Sequence, residues 1–251
     1  MFEAKIEFDN FYKAVYSLKN VGNTACFSNN GEDNLELRVY DSEAFKFGTA
    51  IFKNLEIKTD SEKYEFYFNF YRLIGVVESM KSICKNVKII IENEIVFDFG
   101  KFILQLNLEY PENINKKINY KKALTWIECG YTIEKEYLHR FLKCENFSYA
   151  RTIFYHAKKD LRIFRVDADN SYSLMADISK SVWKMNEDFI GETRFNTYNI
   201  NSVLIPILEM PDDISMGFKK DYPLVCYFEN TDLFVMIALS PVVKKDDSDE
   251  E

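Results

Sequence analysis

The strongest constraint in this sequence is an order of segments that runs twice. In the first half a short alternating strand at 5–8 leads into a helical pattern at 10–21, where Phe11, Val15 and Leu18 recur on one face. Asp9 or Asn10 is its expected N-cap. Alternating segments then predict strands at 35–39, 46–52, 55–58 and 64–69, a second helix at 70–83, and strands at 87–91, 94–99 and 102–108. The polar stretch 109–124, with a proline and two Lys-Lys pairs, reads as a connector rather than a buried element. After it the pattern restarts. A strand is predicted at 125–129, a helix at 133–144, and strands at 151–157, 161–166, 172–178 and 189–195. A helix at 199–208, interrupted near Pro206, and strands at 214–219, 224–229 and 233–239 close the chain. Corresponding helices lie about 124 residues apart (Phe11 to Lys135) and about 128 apart (Tyr71 to Asn199), the spacing of a duplicated unit. Residue identity does not accompany that spacing, so the repeat reads as architectural.

A chain of 251 residues has room for two medium domains, and the expected divisions are 1–108, a connector at 109–124, 125–243, and an acidic tail at 244–251. With 16% aromatic residues but only 8 Gly and 5 Pro, the chain is folded and β-favouring rather than disordered. No apolar run reaches the roughly 18 residues that span a bilayer, and no signal segment opens the chain, so a soluble, intracellular protein without a membrane partner is expected. Five scattered cysteines without a CxxC pair read as buried free thiols, not as a zinc site or disulfide framework. The net charge of −8 opposes nucleic-acid binding unless the basic residues gather on one surface.

Catalytic chemistry finds few parts. There is no GxxxxGK[ST] loop, GxGxxG, HExxH or GxSxG motif. The two histidines, His139 and His156, are too few for a metal or Ser-His-Asp centre. The sequence predicts no enzyme, no cofactor and no metal.

Several segments, in order along the whole chain, resemble PCNA, the eukaryotic and archaeal sliding clamp. They are Met1-Phe2-Glu3-Ala4-Lys5, Ala25-Cys26-Phe27, Asp41-Ser42 after a strand, Tyr222-Pro223-Leu224-Val225, and Leu239-Ser240-Pro241 followed by an acidic end. The resemblance implies an α+β chain of two similar β-α-β processivity-fold domains, with sheets outside and helices lining a ring. It implies a homotrimer that encircles double-stranded DNA without reading sequence, in the nucleus, opened by an ATP-dependent clamp loader. DNA polymerase and repair proteins would be its clients. A subunit of the heterotrimeric checkpoint clamp is the related alternative.

The same resemblance implies the site residues. Lys13, Lys19, Arg140 and Lys143 would face DNA. Gly75, Glu78 and Ile205 stand where the family carries lysines, which implies a less basic hole. Clients carrying a glutamine, an aliphatic residue and two aromatics would dock among Tyr40, Ala44, Phe45, Phe47, Ile118, Tyr120, Pro223, Ala238, Leu239, Ser240 and Pro241. Subunits would join through strands at 102–108 and 171–178, with Phe102, Leu104, Leu106, Tyr172, Leu174 and Ala176 at the join.

Overall fold

A computed structural model describes residues 1–29, 34–41, 45–60, 64–110, 120–144, 151–157, 160–166, 173–186, 191–220 and 222–242. Ala44, Ile118, Tyr172, most of the connector and the acidic tail lie outside them.

Strand β1 (Phe2–Glu7) runs straight into helix α1 (Phe8–Leu18). The helix begins earlier than its sequence pattern suggests. Glu7 occupies the N-cap without a side-chain cap bond, and the Phe8 amide donates instead to the Lys85 carbonyl at 2.9 Å. Strands β2 (Thr24–Asn29), β3 (Leu35–Tyr40), β4 (Lys46–Phe52), β5 (Ile57–Thr59) and β6 (Tyr64–Asn69) follow. Helix α2 (Phe70–Met80) and strands β7 (Asn86–Ile91), β8 (Glu94–Asp98) and β9 (Ile103–Asn107) complete the first half. Of these, β2 carries little alternation and was not predicted as a strand.

The connector holds a short helix, α3 (Tyr120–Thr125), where a polar linker was expected. Ala123 is fully buried there, because the helix lays one face on the sheet below. The strand predicted at 125–129 is displaced to β10 (Cys129–Ile133). Then come α4 (Lys135–Leu142), β11 (Arg151–Ala157), β12 (Asp160–Val166), β13 (Ser173–Asp177), β14 (Ser179–Lys184) and β15 (Gly191–Asn196). Helix α5 (Thr197–Leu208), β16 (Ser215–Phe218), β17 (Leu224–Glu229) and β18 (Leu233–Leu239) end the described chain. Pro206 does not interrupt α5; it sits buried one turn from the helix end, where its missing donor costs one backbone bond only.

The two halves repeat element for element. Phe8 opens α1 and Lys135 opens α4, 127 positions on; Phe70 opens α2 and Thr197 opens α5, again 127 on. At that offset residue identities appear as well: Ile6 with Ile133, Glu7 with Glu134, Phe27 with Phe154, Phe68 with Phe195, and Asn69 with Asn196. The two asparagines do the same work. Each caps its helix, Asn69 accepting from the Arg72 amide at 3.4 Å and Asn196 from the Asn199 amide at 3.2 Å.

Sheet order repeats too. The first half builds a five-stranded sheet, β5-β1-β7-β8-β9, and a group β4-β3-β2-β6; the second builds β14-β10-β16-β17-β18 and β13-β12-β11-β15. Inside the chain β18 pairs antiparallel with β4 from Leu233↔Phe52 to Leu239↔Lys46 and fuses two of these groups into one nine-stranded sheet. Lys53 pairs with Glu229 at the end of that join. Among the described residues β9 is bonded only to β8, and β13 only to β12. These two edges are the repeat counterparts of the two strands that pair internally; β5, β6, β14 and β15 also end their sheets among the described residues.

Helices α2, α1, α5 and α4 lie side by side in that order on one face of the sheets. Their apolar sides, with Phe11, Val15, Leu73, Val77, Leu138, Val203 and Ile207 nearly sealed from solvent, build the main core. Strand β18 shows the division of faces. Leu233, Val235, Ile237 and Leu239 point into that core, while Phe234, Met236 and Ala238 point to the opposite face, under α3.

Candidate functional site

The outer surface of the helix row carries the basic residues singled out by sequence, and the structure shows how they are held. Lys13 lies 3.4 Å from both Asp9 and Asp212. Lys19 bonds Glu78 at 3.1 Å, and its ammonium sits 3.6 Å from the Tyr16 ring centre. Lys143 bonds Glu209 at 3.0 Å. Arg140 is exposed and, among the described residues, makes no side-chain ion pair. Three of the four residues therefore already have carboxylate partners, Lys13 two of them. These pairings were not legible in the sequence, where Asp9 reads as an N-cap and Glu78 only as standing where the family carries a lysine.

Glu209 is the most connected of them. It accepts from the Tyr16 hydroxyl at 2.6 Å and from Lys143, with the His139 ring 3.3 Å away. Burial alone would raise its carboxyl, but hydrogen bonds from Tyr16, Lys143 and His139 outweigh that and bring it down to about 2. Tyr16, Lys19, Tyr198, Ile205 and Glu209 line a groove of about 410 Å³ between α1 and α5.

The opposite face holds the second candidate. Phe47, Ile51, Val225, Phe234, Met236 and Ala238 of the nine-stranded sheet gather beneath Ala123 and Ile127 of the α3 segment. Tyr40, Tyr120, Leu124, Trp126 and Tyr227 border them. Tyr120 packs 5.7 Å from Phe234, and Tyr40 5.8 Å from Phe47. Segments from three distant parts of the sequence therefore meet: Tyr40 and Phe47, Tyr120, and Ala238. Phe45 is half exposed at the rim, and its carbonyl accepts from the Ser240 amide at 2.9 Å. Pro223, Ser240 and Pro241 are partly exposed nearby along the chain. Leu239 departs from expectation: it faces the main core, because alternation along β18 points it to the helix side. Trp126, Phe234 and Tyr227 belong to this cluster and were missed, since nothing in their local pattern says which face of a sheet a connector covers.

At the chain edges, Leu104 and Leu106 of β9 pack toward their own domain's core, and Leu106 is buried. The opposite face of β9 exposes Ile103, and β13 exposes Met175 between half-buried Leu174 and Ala176. Phe102 lies just before the strand and is half exposed.

Duplicated halves, a single row of four helices on one face, and a sheet fused across the halves by β18 and β4 are now all in place. Solved structures share this arrangement. The PCNA of A. fulgidus, in a structure with the C-terminal region of FEN-1 bound, superposes with a TM-score of 0.76 over 98% of this chain and 100% of its own, at 13% identity. The chain has the PCNA fold. The PCNA of Thermococcus kodakaraensis gives 0.76 over 96% of this chain and 100% of its own at 15% identity. That of Entamoeba histolytica gives 0.75 over 96% and 99% at 14%. No protein-family model and no curated sequence matches the chain. The PCNA fold has thus been kept here on a sequence that shares few residues with these neighbours.

Proposed function

We propose that this chain is a DNA sliding clamp: a non-enzymatic ring subunit that encircles duplex DNA and tethers DNA polymerase and repair proteins to it. One observation carries the reading. The free edges of β9 and β13 are the repeat counterparts of β18 and β4, which already form a continuous ladder inside the chain. A second copy offering β13 to β9 would extend the same kind of ladder, reinforced by exposed Ile103 and Met175, and repetition of that head-to-tail contact closes a ring. Three copies are the number the PCNA fold suggests. The helix row, with Lys13, Lys19, Arg140 and Lys143, would then face the hole.

A closed ring holds DNA by topology, so weak, sequence-independent contacts are enough. That fits a helix face whose lysines are mostly paired with carboxylates. The apolar cluster under α3 would receive client peptides carrying a glutamine, an aliphatic residue and two aromatics; the FEN-1 segment in the A. fulgidus structure supports this. An ATP-dependent loader would open the ring, in the nucleus. Sedimentation equilibrium of the purified protein tests the proposal. The expected mass is three times the 29.7 kDa of one chain. A lone monomer that assembles only with other chains would instead assign it to a heterotrimeric checkpoint clamp.

A further inference from the structure

Among the exposed aromatic residues, two stand at the same place in the repeat. Tyr71 is the second residue of α2 and Tyr198 the second residue of α5, 127 positions on, and each is 72% exposed. Both follow the capping asparagines Asn69 and Asn196 by two positions, so the helix starts that present them are built alike. An exposed tyrosine gains nothing from the core, and neither ring stacks on another aromatic of the described chain.

Both tyrosines line one cleft of about 440 Å³ around the end of α1, together with Lys19, Lys46, Asn20 and Asp41. Tyr71 shares a helix stripe with Glu78, seven residues on, which reaches Lys19 on α1. Tyr198 shares one with Ser202, Ile205 and Glu209, which border the α1 groove. The two phenols thus flank α1 from either side, on the helix face that carries the basic residues.

We propose that Tyr71 and Tyr198 contact the sugar-phosphate backbone of duplex DNA through their hydroxyls, one in each repeated half. The inference rests on the clamp reading and adds residues to it. Lys13, Lys19 and Lys143 are each held by a carboxylate, which blunts their attraction for phosphate. A phenol is a neutral donor that needs no such release. It bonds a phosphate oxygen without displacing a counterion, so its contribution to affinity is independent of salt. Lys13 and Arg140 are likewise 127 positions apart, so every half would bring one base and one phenol to the DNA, repeated around the ring.

The test is fluorescence anisotropy of a labelled duplex against the assembled ring at stepped salt concentrations, for the parent and for Tyr71→Phe with Tyr198→Phe. Phenylalanine keeps the ring and removes only the hydroxyl. The expected result is an affinity lower by at least about tenfold, since a single hydrogen bond to a charged acceptor is already worth that much and two hydroxyls are removed from each chain, with the slope of affinity on salt unchanged. Binding equal to the parent's overturns the proposal and leaves the clamp reading standing. A loss accompanied by a flatter slope also overturns it, because the contact would then act through charge. A parent ring that binds no duplex at low salt overturns the proposal as well, while the clamp reading, which a topological hold would still satisfy, stands or falls by the ring's mass in sedimentation.

Discussion

The Tyr16 hydroxyl on α1 donates a 2.6 Å hydrogen bond to the Glu209 carboxylate at the end of α5, joining the first half of the chain to the second. The same carboxylate holds Lys143 at the C-cap of α4, so one side chain ties the ends of three of the four helices. An anion at a helix C-terminus is unfavourable by itself, and these partners offset it. Glu209→Gln should cost about 1 kcal/mol of stability in denaturant titration. It should also release Lys143 to phosphate, giving tighter duplex binding and a steeper salt slope. An unchanged slope would place Lys143 away from the DNA.

The subunit join has a sharper test than its buried leucines allow. Leu104 packs against its own domain, so a charge there would disturb the fold as well as the ring. Ile103 is 64% exposed and Met175 57% exposed, so Ile103→Glu with Met175→Glu leaves each domain's core untouched. Sedimentation should show folded monomers, since like charges would face each other across the new ladder. An intact oligomer would mean that these edges are not where copies meet.

Phe45 provides the test of the client pocket. Its ring stands at the rim while its carbonyl bonds the Ser240 amide, so truncation removes contact area and spares the backbone link. A labelled peptide with a glutamine, an aliphatic residue and two adjacent aromatics should bind at micromolar level, about −8 kcal/mol. Phe45→Ala should weaken it by about tenfold with the ring intact. Equal affinity would remove Phe45 from the site.

Acid should destabilise the protein through His156. The ring is fully buried on β11, 4.2 Å from the Phe218 ring centre, and burial lowers its pKa from 6.5 to about 4. The folded state therefore favours the neutral ring, and the unfolded chain takes up the proton first as pH falls. Its contribution is complete above the unfolded value and is lost as pH falls from there toward about 4. Linkage puts the loss at about 2 kcal/mol between about pH 7 and about pH 5. Thermal melts at those two values should differ less in His156→Phe than in the parent. An identical difference would show that another group governs the acid response.

The sequence alone determined the alternation of strands with amphipathic helices and the restart after 109–124, because side-chain periodicity is local. Five strands, β4, β6, β11, β17 and β18, were legible to the residue, each a run bounded by a change of pattern or polar turn. The repeat itself was visible but blurred. Offsets taken from apparent helix starts missed the shared value of 127, and with it the pairs Asn69 with Asn196 and Tyr71 with Tyr198. Helix starts are poorly marked here because Phe8 follows β1 directly and Lys135 follows β10 after Glu134 alone, with Glu7 and Glu134 as caps that make no side-chain cap bond.

Only the tertiary structure decided what those residues meet. A lysine on a polar helix face reads as free charge until the end of a neighbouring helix, or the turn that follows it, brings Glu209 or Asp212 against it. Leu239 and Ala238 are adjacent apolar residues, yet one enters the main core and the other the cluster under α3. The pleat fixes that they diverge; which side receives the connector depends on contacts more than 100 residues away, between Tyr120 and Phe234 and between β18 and β4. Such contacts are set by the free energy of burying whole faces together, which no stretch of the chain contains by itself.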